Sequence, residues 1–185
     1  MIRSFVAIPM PDHAADRLER LQEGLPMARA VPRENLHLTL AFLDGQPEAV
    51  LRALSDFLAE LAAPAFGLRL AGVTVLGRKE QGALAVAVDG GEALRGLQAR
   101  VARRAEMAGI DLERRRFRPH VTILRLPKRV DSAEQAKIQA WIDRKAGFEP
   151  IGIQVDRFAL FRSVLTKHGA IHDVLCEYPL TPAEN

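Results

Sequence analysis

Two similar lobes built from alternating strands and helices are the fold this 185-residue sequence predicts, on three observations. Each half carries an apolar strand, a helix, a loop and then a strand bearing His-x-Thr-apolar. The separations agree, with 29 positions from Ile8 to His37 and 32 from Val88 to His120. Between them, leucines and alanines recur at three and four, the spacing of a helix with one buried stripe. Such a duplication would pack about a pseudo-twofold axis and bring equivalent strands face to face. Residues 1–185 are therefore expected to form one two-lobed domain.

The elements follow in order. Phe5 to Ile8 reads as a short buried strand stopped by Pro9 and Pro11, after which Asp12 caps a helix carrying Leu18, Leu21 and Leu25. Beyond a loop with Pro26 and Pro32, Glu34 to Phe42 alternates apolar and polar residues at period two, giving a strand with two unlike faces. Pro47 opens a helix with Leu51, Leu54, Leu58 and Leu61 on one stripe, ending near Pro64. Phe66 to Leu76 and Ala83 to Val88 are apolar, β-branched stretches joined by residues 77–82, a hairpin with a basic tip. After Gly90-Gly91, Leu94, Leu97, Val101 and Ala105 mark the inner face of a helix, with Arg95, Arg100, Arg103 and Arg104 largely outward and Gly109 as its stop. Phe117 to Arg125 repeats the polarity of the first histidine strand. A helix near Asp131 to Arg144 and strands of about Ile151 to Phe161 and Ala170 to Glu177 complete the chain.

Composition narrows the class. With 48% hydrophobic, 26% charged and 5% aromatic residues, disorder and fibrous repeats are excluded. The formal charge of +3 permits a phosphate-bearing partner without demanding one. Cys176 is the single cysteine, which rules out an intrachain disulfide and any multi-cysteine zinc site. The first apolar stretch is broken by proline too soon for a signal segment, and no apolar run approaches the roughly 18 residues of a spanning helix. A soluble cytoplasmic monomer is expected.

The chemistry is concentrated in the twin motif His37-Leu38-Thr39-Leu40 and His120-Val121-Thr122-Ile123. Five histidines and five threonines give about 0.14 His-x-Thr pairs by chance, so two in matched contexts stand well above background. Strand residues two apart share a face, so each strand presents an imidazole beside a hydroxyl while its apolar partners enter the core. A lone strand histidine would be read as an ordinary half-buried residue; repetition in equivalent places reverses that reading. Imidazole exchanges protons near neutrality, and a threonine hydroxyl donates to a phosphate oxygen. In-line attack on a cyclic phosphodiester needs a base for water and an acid for the departing ribose oxygen, and two opposed histidines supply both without a metal or cofactor.

These residues resemble the two-histidine phosphoesterase superfamily and, within it, the RNA 2′,3′-cyclic phosphodiesterases, also called 2′-5′ RNA ligases. The likeness rests on Arg3-Ser-Phe-Val-Ala-Ile, Asn35-Leu-His-Leu-Thr-Leu-Ala-Phe-Leu, Phe117-Arg-Pro-His-Val-Thr-Ile-Leu-Arg and Leu160-Phe-Arg-Ser-Val-Leu with Gly169 beyond, in that order. It implies a bilobal α+β fold, with antiparallel sheets lining a central cleft and helices outside. It also implies hydrolysis of RNA 2′,3′-cyclic phosphate ends or cyclic nucleotides to a 2′-phosphomonoester, with His37 as proton donor, His120 as proton acceptor and Arg125 reaching the phosphate. Family members commonly carry a tyrosine in the last strand, where this chain has His172.

Phe42 follows His37 by five, as Arg125 follows His120, and offers a face to a nucleobase. Arg114, Arg115, Arg116 and Arg118 crowd the approach to His120 and would lend the cleft mouth a positive field. His168 and His172 are four apart, but Gly169 and Ile171 argue against the helix that a metal pair would need. Two other activities use the same residues. A 5′-hydroxyl in place of water would join RNA through a 2′-5′ linkage, and a noncatalytic RNA-binding module would keep the cleft without the chemistry. Retention of both histidines and both threonines disfavours the module.

Overall fold

In the computed structural model the described residues are 1–77, 82–113, 116–167 and 169–182. The predicted basic hairpin tip lies largely outside them, as do Arg114, Arg115 and His168. In chain order the elements are β1 (Ile2–Pro9), α1 (Asp12–Gln22), β2 (Arg29–Ala30), a 3₁₀ turn (Arg33–Asn35), β3 (His37–Gln46), α2 (Glu48–Ala59), β4 (Phe66–Leu76) and β5 (Ala83–Asp89). Next come α3 (Gly91–Met107), β6 (His120–Arg125), α4 (Ser132–Lys145), β7 (Ile151–Val155), β8 (Arg157–Thr166) and β9 (Gly169–Pro179).

The strands form one antiparallel sheet in the order β7-β4-β5-β6-β3-β1-β8-β9, with β2 added alongside β6. This is the expected α+β fold of two like halves, except that the equivalent strands lie edge to edge in one continuous sheet rather than face to face. In each half the histidine strand lies beside the apolar strand that opens the repeat, β3 beside β1 and β6 beside β5. The halves meet where Leu38 of β3 pairs with Val121 of β6, so the two motifs sit side by side at the centre of a shared sheet.

One face of the sheet is covered by helices, because alternate strand residues are apolar and each helix buries a stripe. Leu18, Leu54, Leu58 and Leu94 are all but fully buried against Leu38, Leu70 and Leu84. The helices cross between halves: α1 of the first repeat packs on β6 and β7, and α3 of the second packs on β3 and β4. Trp141 of α4 is buried and its indole N–H donates to the Glu23 carbonyl at 2.8 Å, which satisfies the polar atom of a large core side chain. The opposite face carries a small cluster of its own, Phe5, Ala7, Ala159 and Phe161.

Four readings from sequence are corrected in detail. Asp12 lies inside the first turn of α1, and Pro11 holds the cap position; the carboxylate favours that end through the helix dipole. The first histidine strand begins at His37, since residues 33–35 form the 3₁₀ turn, and it runs on to Gln46. The second begins at His120 rather than Phe117. The supposed strand from Ile151 to Phe161 is two strands broken at Asp156, β7 on β4 and β8 on β1, at opposite ends of the sheet.

Beyond Arg162, β8 has no further pairing with β1, whereas its pairing with β9 continues from Arg162↔Asp173 to Thr166↔Gly169. This two-stranded ribbon leaves the sheet and turns over its open face. Its tip is held by the Asn35 side-chain amide, which donates to the Ala170 carbonyl at 2.7 Å. Gly169, at φ 136°, lies against Arg29, with 3.6 Å between the guanidinium and the place a Cβ would occupy.

Candidate active site

The open face of the central strands and the ribbon above it enclose a cleft of about 550 Å³. His37, Thr39, Phe42, His120, Thr122 and Arg125, the residues given catalytic or substrate roles from sequence, line it, and so does His172. Strict alternation would not have brought them together, because a residue five past a histidine belongs on the other face. The register shows why they meet. Along β1 and β3, Val6 pairs with Ala41 and Ala7 with Thr39, so Leu40 is an extra residue; along β5 and β6, Leu84 pairs with Leu124 and Ala85 with Thr122, so Ile123 is extra. Each bulge reverses the facing of the residues beyond it and turns Phe42 and Arg125 back toward the histidines.

The two imidazoles are held alike. His37 Nδ1–H donates to the Asn35 carbonyl at 2.8 Å and His120 Nδ1–H to the Arg118 carbonyl at 2.7 Å, in each case two residues upstream. A carbonyl only accepts, so Nδ1 must carry the hydrogen and Nε2, on the far side of the ring, is the atom left for proton transfer. The 3₁₀ turn that offers the Asn35 carbonyl is itself fixed to α1, since Arg33 binds Asp12 at 2.9 Å and Glu19 at 2.8 Å and also reaches Asp16.

The surroundings of the rings differ. His37 stacks on Phe5 with centroids 4.7 Å apart and meets His172 nearly at right angles, 5.4 Å away. Burial is the main reason its pKa falls to about 4; the Asn35 carbonyl opposes that fall, and His172, Arg125 and His120 add to it. Arg125 is likewise pushed down, by burial and then by Arg29, its direct cross-strand neighbour. A cationic group disfavoured in this way by its surroundings gains from the approach of an anion.

Sequence reasoning passed over Asn35, Arg29 and Phe5. The Asn35 contribution to His37 is a backbone carbonyl, which any residue supplies, and Arg118 fills that place in the second half. Arg29 and the amide of Asn35 matter through the ribbon, whose path no local pattern encodes. Arg116 and Arg118, just before His120 in sequence, are exposed and are not among the residues that line the cleft.

The sequence model of a family described as the 2′-5′ RNA ligase superfamily matches residues 10–166. Among named relatives, the RNA 2′,3′-cyclic phosphodiesterase of Aeropyrum pernix is 30% identical over 169 residues, which is 87% of this chain and 93% of that one. The protein of the same name from Thermotoga maritima is 30% identical over 183 residues, 95% and 94% of the two chains. In fold, the chain is similar to Escherichia coli LigT, crystallised with 3′-AMP, at a TM-score of 0.75 and 23% identity, with 97% of this chain and 98% of that one covered.

Proposed function

The chain belongs to the 2′-5′ RNA ligase superfamily, and on that footing we propose that it hydrolyses RNA 2′,3′-cyclic phosphate ends to 2′-phosphomonoesters by metal-independent acid/base catalysis. The observation that carries this reading is the matched pair of imidazoles, each with Nδ1–H fixed to a carbonyl and Nε2 left for the cleft they share. Water attacks phosphorus as His120 Nε2 takes its proton. The bond from phosphorus to O3′ breaks, and His37 Nε2 delivers a proton to that oxygen, leaving a 3′-hydroxyl and a 2′-phosphate. Thr39 and Thr122, one beside each histidine, donate to the phosphate oxygens, and Arg125 balances their charge.

In the free protein His37, at about 4, is neutral at pH 7. The donor role therefore draws its proton in with the substrate, because an anionic phosphate against Nε2 favours the imidazolium. Phe42, 64% exposed, offers its ring to the base. The physiological partner is then an RNA end or a cyclic nucleotide. The chain acts as one two-lobed monomeric unit, because each half supplies one histidine. Among the described residues no helix is long and apolar enough to cross a membrane; the single cysteine, Cys176, suits a reducing compartment such as the cytoplasm, and that is the location we propose.

The deciding experiment is incubation of wild type, His37→Ala and His120→Ala with 2′,3′-cyclic nucleotides in EDTA, with products separated by chromatography. Wild type alone should form the 2′-phosphate, and each variant should lose a factor of about 10² to 10⁴ in kcat. Chelator-sensitive turnover, or turnover that survives both substitutions, would overturn the mechanism. Ligation is a second reading, favoured by a cleft that extends to both sides of the histidines, toward Phe42 and toward Arg125. A gel with a 5′-hydroxyl acceptor and a cyclic-phosphate donor tests it; water, at about 55 M, should prevail over a dilute end.

A further inference from the structure

His172 stands where the ribbon crosses the active centre. Its ring meets His37 at 88° with centroids 5.4 Å apart and meets Phe5 at 81° with centroids 4.9 Å apart. Phe5 in turn stacks on His37 at 4.7 Å and on Phe161 at 5.0 Å. His37 is therefore bounded by a parallel ring on one side and a perpendicular ring on another, while its Nδ1 is tied to the backbone. Edge-to-face aromatic pairs have a preferred geometry, so this packing resists rotation of the imidazole about its side-chain torsions.

We propose that His172 is a positioning residue for His37, set in place by the β8–β9 ribbon and by the Asn35 amide that fastens the ribbon's tip. The proposal rests on the reading of His37 as proton donor. Three observations support it independently of that reading. His172 Nδ1 is buried and has no hydrogen-bond partner among the described residues, so no polar bond of that atom accounts for the ring's position. The hydrogen bond from Asn35 joins the strand of His172 to the residue whose carbonyl fixes His37, so one residue sets both rings. Across the ribbon, Arg162 binds Asp173 at 2.6 Å and fixes the strand pair next to His172.

The ring is kept neutral by its setting. A bare Nδ1 is tolerable in an apolar place, whereas an N–H there would be an unpaired donor, so the proton belongs on Nε2. Charged and titratable groups around it act in the same sense with one exception: Arg125 from β6 and Arg3 from β1 oppose a second positive charge, and Asp173 on its own strand favours one, with burial the largest influence. His37 faces it from β3. A neutral His172 supports the ring beside it without the charge repulsion by which a cationic His172 would lower the His37 pKa.

The test compares wild type with His172→Phe, which keeps a ring of similar size, and His172→Ala, which removes it. Turnover of a 2′,3′-cyclic nucleotide is read as kcat and KM, and the His37 imidazole is followed by NMR. His172→Ala should lower kcat about tenfold or more, with KM changed less than about threefold, and should shift and broaden the His37 ring signals. His172→Phe should recover kcat to within about threefold of wild type. Unchanged kcat in His172→Ala, or no recovery in an equally folded His172→Phe, would overturn the proposal; the second result would mean that His172 touches substrate. If wild type turns over no cyclic phosphate, the proposed function fails, yet the His37 signals of the two variants still decide the bracing.

Discussion

Phe42 and Arg125 occupy the same position of a repeated strand bulge, each five residues beyond a histidine. Because β3 and β6 are antiparallel and cross at Leu38 and Val121, these two residues lie toward opposite ends of the cleft. A near-symmetric backbone thus ends in an aromatic face on one side and a guanidinium on the other.

Truncating Phe42 should change binding and leave folding alone. With 64% of the residue exposed, Phe42→Ala should stay within about 0.5 kcal/mol of wild type in urea unfolding. Loss of a stacking platform worth about 1 to 3 kcal/mol per base should raise KM about 5- to 150-fold, more for purine than for pyrimidine cyclic nucleotides. Equal KM values for wild type and variant across all four bases would remove Phe42 from the substrate site.

Arg125→Lys should differ from Arg125→Ala by less than charge alone suggests. A lysine keeps the charge but not the planar fork, so both should lose activity, with alanine down about 10- to 150-fold in kcat/KM. Measurement at two ionic strengths checks this, because the alanine variant should be the less sensitive to salt.

The buried His37 makes a signed prediction about stability. Its pKa is near 4 in the folded chain against about 6.5 when unfolded, so the unfolded state binds the extra proton between those values. No effect is expected above pH 6.5; as pH falls toward 4, stability should drop by an amount on the order of 2 to 3 kcal/mol and then level off. His37→Phe, which keeps the stack on Phe5, should show a flatter pH dependence in denaturant titrations from pH 7 to 4. A parallel decline in both proteins would assign the loss to other groups. In the same window, saturating 2′-phosphate product should raise the His37 pKa seen by NMR, and an unmoved value would exclude the proton delivery assigned to it.

Loosening the ribbon should be visible without any assay of activity. Asn35→Ala removes the amide that donates to the Ala170 carbonyl, at a cost of about 1 kcal/mol or somewhat more. Amide exchange in residues 163–167 and 169–172 should accelerate while the central strands stay protected. Uniform acceleration would mean that Asn35 supports the whole fold.

Much of the architecture was legible in the sequence, and the exceptions share a cause. The helix of Leu51, Leu54 and Leu58 announces itself because one buried stripe has one period, and the histidine strands because hydrophobic alternation has another. The break at Asp156 has no such mark: neither proline nor glycine stands there, and the chain changes sheet partners by tertiary contact alone. The bulges at Leu40 and Ile123 are visible only as an extra residue against a neighbouring strand, so the placement of Arg125 could be expected from the resemblance, and that of Phe42 from its matching offset, but neither could be explained. The ribbon's path over His37 depends on Asn35 and Arg29, distant in sequence from His172, and no local periodicity reports a contact of that kind.

The crossing of α1 and α3 beneath each other's sheets bears on what duplication made available. Two identical half-chains assembled as a symmetric dimer would have to display the same side chain at either end of their shared groove, since every choice made once is made twice. Within a single polypeptide the two copies are free to diverge, while each remains clamped under the helix of the other. One end can then specialise for a flat, uncharged ring and the other for an anion. The groove acquires a head and a tail, and under the proposed function a directional polymer such as RNA would have one way to lie in it.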